Sequence, residues 1–151
     1  MPVRFEWSNP AGRPSSSPLE TLKFADKNAG FQELLRAAAT GLGALGVAGR
    51  AEAVEGLLEI GIPSRDDATR SPIALALGAV ALRNTALVMP LLEKYPARDG
   101  AIELLAEGFD MLEEDLDKER FFAFARRTFW DAAAGSTTRE LMQTLIGKLE
   151  F

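Results

Sequence analysis

Residues 72 to 82 read PIALALGAVAL, a run without a single charged or hydrogen-bonding side chain. It is too short to cross a bilayer, which takes about 18 to 20 apolar residues. A helix that lacks a polar face must therefore be enclosed by other helices. The chain is constrained to wrap a central helix built on Ile73, Leu75, Ala76, Leu77, Val80 and Ala81. Ser71 is expected to cap it and Pro72 to occupy its first turn, where a missing N–H costs little.

The flanking sequence supplies the walls. Ser17, Pro18 and Glu20 mark a capping-box start for a helix carrying Leu19, Leu22 and Phe24 to about Asn28, before Gly30. FQELLRAAAT at 31 to 40 sets Phe31, Leu34, Leu35 and Ala38 on one side. Arg50 to Ile60 turns Ala53, Val54, Leu57 and Leu58 inward and Glu52, Glu55 and Glu59 outward, with Gly61 as its stop. IPSRDDATR at 62 to 70 reads as a polar connector.

A helix from Asn84 or Thr85 to Tyr95 contains Pro90, whose lost donor predicts a kink or a late start. Residues 101 to 113 put Ile102, Leu105, Ala106, Phe109 and Leu112 on one side and acids on the other. Asp115 or Asp117 is expected to cap the next helix, which carries Phe121, Phe122, Phe124, Phe129 and Trp130 and closes before Gly135. The last helix begins with Thr137 as cap and Glu140 completing a capping box, and Phe151 is expected to dock its end.

No strand alternation interrupts these patterns. The expected fold class is all-α, an irregular stack or compact bundle of about seven short antiparallel helices in one domain, residues 18–151. Residues 1–17, rich in Ser, Pro and Gly from position 8 onward, read as a flexible N-terminal arm, because such a composition buries too little to offset the entropy of ordering. On it, Phe5 and Trp7 either form a docking peptide or tuck against the domain.

GLGALGVAG at 41 to 49 holds four glycines in nine positions. Gly41, Gly43 and Gly46 spell a phosphate-loop pattern, but no strand precedes them and the lysine-bearing P-loop motif is missing, which favours close helix approach or a flexible connection.

EAVEGLLEIGIP at 52 to 63 and TALVMPLLEKYP at 85 to 96 share Val54 with Val88 and the LLE of Leu57 to Glu59 with that of Leu91 to Glu93, all 34 residues apart. A period of that size belongs to paired-helix repeats. GRAEAVEGLLEIGI at 49 to 62 resembles the second helix of an ankyrin repeat, and RSPIALA at 70 to 76 is similar to its T-P-L-H-x-A opening, with Ser71, Pro72 and Ile73 in the first three places and Ala74 in place of the histidine. Over residues 42 to 96 the resemblance implies a protein-binding stack with exposed turns and a concave helix surface. The period does not continue beyond residue 96, where Phe122, Ala125 and Arg126 would fall under Val88, Leu91 and Leu92.

Chemistry is sparse. With neither cysteine nor histidine, the chain cannot form disulfides, thiolate nucleophiles, His-based triads or the usual transition-metal sites. Lys23, Lys94, Lys118 and Lys148 have no supporting nucleophile motif. The acidic stretch EGFDMLEEDLDKE lacks the glycine and spacing of a calcium loop. No catalytic residue, metal ligand or cofactor site is expected; an enzyme built on carboxylates such as Asp115 and Asp117 is the remote alternative.

Interaction is the better expectation. Of a net charge of −5, residues 99 to 120 carry −7, which disfavours nucleic acid and favours another protein with a basic surface. Glu103, Glu107, Asp110 and Glu114 recur at spacings of four, three and four, the signature of one acidic helix side. Arg126, Arg127, Phe122 and Trp130 are residue types that anchor interfaces, if they are exposed; otherwise Trp130 fills the core and one arginine pairs with an acid. The chain reads as a non-catalytic adaptor, chaperone or assembly component, or else a self-associating structural subunit. With no membrane-length run and no signal-like N-terminus, a cytoplasmic setting is expected.

Overall fold

A computed structural model describes residues 17–27 and 32–149. In chain order the helices are α1 (Pro18–Lys27), α2 (Gln32–Val47), α3 (Ala51–Gly61), α4 (Asp67–Arg83), α5 (Thr85–Lys94), α6 (Arg98–Met111), α7 (Asp115–Asp131) and α8 (Thr137–Leu149). No strand occurs among the described residues. The expectations placed on the N-terminal arm with Phe5 and Trp7, on Gly30 and Phe31, and on Phe151 lie outside them.

The fold is all-α, and its axis is α4. Ile73, Ala74, Leu77, Val80 and Ala81 are fully enclosed, with α2, α3, α5, α6 and α7 packed around them. The helix starts earlier than Ser71 and Pro72 predict. Asp66 is the cap, its carboxylate accepting from the Ala68 N–H at 3.3 Å and from the Thr69 hydroxyl at 3.4 Å. Pro72 therefore lies inside the helix, and the RSPIALA stretch is not a helix opening. The added turn has a physical use: it puts Arg70 within reach of two neighbouring helices.

Arg70 ties the end of α3 to α6. Its Nη1 donates to the carbonyls of Gly61, Ile62 and Ser64 at 3.0, 3.2 and 3.4 Å, and its Nε faces both carboxylate oxygens of Glu107 at 2.8 Å. The carbonyls at the end of α3 have no helical partner of their own, and a guanidinium supplies it.

The glycine-rich stretch is helical and not a phosphate loop. Gly43 and Gly46 face α4, where a Cβ on Gly46 would lie 2.9 Å from Val80 and 3.2 Å from Val54. Close packing offsets the roughly 1 kcal/mol that each helical glycine costs relative to alanine. α2 ends where Gly49 adopts φ 102°, with Gly49 N–H donating to the Gly46 carbonyl and Arg50 N–H to that of Leu45, both at 3.0 Å, a Schellman closure.

The tightest crossing joins α4 and α6. A Cβ on Gly108 would sit 2.0 Å from the Ala74 carbonyl oxygen, so these helices meet backbone to backbone. α5 leaves α4 at a bend of 118°, begins at Thr85 and keeps Pro90 within it. No single helix among the described residues is long and apolar enough to cross a membrane.

Two predicted caps move by one residue. Asp115 is the first residue of α7, preceded by Glu114, and Asp115 and Asp117 sit in the first turn, where negative charge suits the helix dipole. Ser136, not Thr137, caps α8: its hydroxyl accepts from the Arg139 N–H at 3.2 Å, because a cap bonds the residue three positions on. At α1 the Ser17 hydroxyl accepts from the Glu20 N–H at 3.1 Å, as the sequence predicts.

Candidate interaction surface

α7 packs on α8 and α4 through one narrow side. Phe121 and Ala125 are its buried residues. Phe121 meets Phe109 of α6 edge to face at 4.9 Å, and Phe122 adds a second, half-buried contact at 6.4 Å from Phe109. Near the C-terminus, Arg139 of α8 lies over the Phe129 ring at 4.3 Å and donates to the Ala132 carbonyl at 3.2 Å. These contacts fix which side of α7 points away from the bundle.

The outward side sets three large apolar residues among charged ones. Trp130 is 73% exposed, Leu116 68% and Phe124 41%. At 100° per residue, positions seven apart fall nearly on one line, so Leu116, Ala123 and Trp130 form a ridge along the outer surface, flanked by the exposed Glu119, Arg126 and Arg127. Leaving a Leu or Trp side chain in water forgoes about 1.5 to 3 kcal/mol of burial. Single exposed apolar residues are ordinary; a tryptophan left 73% exposed on the same helix line as a leucine 68% exposed suits a surface that something else covers.

The predicted residues are thereby separated. Trp130 is outside and does not fill the core; Arg126 and Arg127 accompany it. Phe122 lies about a quarter turn round α7 from the ridge, half-buried, and belongs to the packing against α6. Glu119, Ala123, Leu116 and Phe124 were missed by sequence reasoning, although the heptad offset of 116, 123 and 130 from the buried pair Phe121 and Ala125 carries the signal.

The acidic side differs from its expected form. α6 ends at Met111 and Leu112 is already extended, so Glu114 lies on the connector and not on the line of Glu103, Glu107 and Asp110. Three of the four carboxylates face a cation of their own chain: Glu103 with Lys148 at 3.4 Å, Glu107 with Arg70, and Glu114 with Arg83. Asp110 is exposed. Their combined field is reduced accordingly, because each intramolecular cation offsets a negative charge within a few ångströms.

Surface depressions include one of 340 Å³ against Leu19, Leu42, Leu45 and Ala53, and one of 610 Å³ around the turn from α5 to α6. Among the described residues, no group of three or more acidic side chains is arranged to hold a metal ion. The chain matches no protein-family model, no curated protein and no solved structure with which it was compared.

Proposed function

We propose that this chain is a protein-interaction module, an adaptor, chaperone or assembly component, that binds through the outer face of α7. The observation that carries this reading is the joint exposure of Leu116 and Trp130 on one helix line. Fourteen residues apart, they stand about 21 Å from each other at 1.5 Å per residue, a span suited to a second helix laid along the first.

In this reading Trp130 and Leu116 are the anchors, Phe124 widens the apolar strip, and the charged flanks set orientation. Asp115 and Glu119 favour cationic groups of the partner at one end; Arg126 and Arg127 favour anionic groups at the other.

Photo-crosslinking in the cells that make the protein tests the proposal. A photoreactive residue at Arg127 is expected to give discrete protein adducts that disappear with Trp130→Ser, whereas the same residue at the exposed Arg36 of α2 gives none. Equal labelling from both positions, or none from position 127, would refute it.

A further inference from the structure

The outer ridge of α7 is chemically symmetric about its midpoint. Counting from Ala123, Leu116 lies seven residues before and Trp130 seven after; Glu119 lies four before and Arg127 four after. The spacing 3, 4, 4, 3 keeps all five on one side of the helix, and Leu116, Glu119, Ala123, Arg127 and Trp130 are all exposed. Reversing the direction of this ridge exchanges an apolar residue for an apolar one and an acid for a base.

We infer that the occupant of the ridge is a second copy of this chain, packed antiparallel across a two-fold axis at Ala123; this rests on the reading of α7 as the binding face. A two-fold axis brings the same patch of both copies together. With the axis at Ala123, Leu116 of each copy meets Trp130 of the other, and Glu119 of each meets Arg127 of the other. The small Ala123 side chains let the helices approach at the centre. A parallel pairing would instead set Glu119 on Glu119 and Arg127 on Arg127, juxtaposing like charges. Arg120, beside the ridge, is held 3.7 Å from Asp117 of its own helix, which offsets its charge where it nears the partner's arginines.

The contact is small. One helix of 17 residues is about 25 Å long and about 10 Å wide, a footprint below the roughly 800 Å² per partner of a standard interface, so association is weak and reversible.

Sedimentation velocity of the full chain from micromolar to millimolar concentration tests this. The mean mass should rise with concentration from monomer toward dimer. Glu119→Arg and Arg127→Glu should each weaken association by about tenfold, and the doubly exchanged protein should recover to within about threefold of the parent. Trp130→Ser should remain monomeric, with an unchanged far-ultraviolet helical signal showing that it folds. A parent protein that stays monomeric at millimolar concentration overturns the inference, as does association indifferent to either reversal or unrestored by the exchange. Monomeric behaviour combined with persistent adducts from position 127 to a different protein would remove the second copy as occupant while leaving α7 as the binding face.

Discussion

α4 and α7 are both 17 residues long, and they spend their apolar residues in opposite ways. α4 has eight buried residues, small and aliphatic, and packs against five helices, although Leu75, expected to be enclosed, is 40% exposed. α7 is richer in aromatics, yet buries only Phe121 and Ala125 and leaves Leu116, Phe124 and Trp130 in solvent. The difference teaches that residue type does not decide burial in this bundle. What decides it is the angular position of a side chain relative to the glycine and alanine contacts that set how closely the helices meet.

Substitutions on α4 and its neighbours should break the fold, and those on the outer side of α7 should not. The largest effect is expected from Gly108→Ala. Its Cβ would meet the Ala74 carbonyl at 2.0 Å, a backbone atom that cannot swing aside, so a loss above about 3 kcal/mol is expected in denaturant unfolding. Leu77→Ala, at a fully enclosed position, should cost about 3 kcal/mol by the same measurement through the cavity it leaves. Arg70→Ala comes next, at about 2 kcal/mol, because it removes the donor shared by the carbonyls of Gly61, Ile62 and Ser64. Hydrogen exchange should localise that loss to the end of α3 and the start of α4.

The central part of the fold was legible in the sequence because an uninterrupted apolar run leaves a helix nowhere to go but inside. Its neighbours were legible through ordinary amphipathic spacing. The helical course of residues 41 to 47 was not, because the local cost of Gly43 and Gly46 is offset only by contacts with Val80, Val54 and Ala76, which are distant in sequence. The start of α4 was misplaced because Ser71 and Pro72 look like a helix opening and compete with the local cap at Asp66, while the tertiary partners of Arg70 hold the preceding turn.

The candidate site was half legible. Trp130, Arg126 and Arg127 were singled out by type, but the aromatic content of α7 alone could not tell Phe122, which packs inward, from Phe124, which does not. The acidic side was overread, because carboxylates that look free in the sequence face Arg70, Arg83 and Lys148 once the helices assemble.

The most direct test is the unfolding free energy of the double variant Leu116→Ser/Trp130→Ser. If these side chains form a surface kept for a partner, the monomer should lose no more than about 1 kcal/mol, the sum expected for two exposed positions. A loss of about 3 kcal/mol or more would show that Leu116 and Trp130 serve the packing of this chain itself, and would contradict the account.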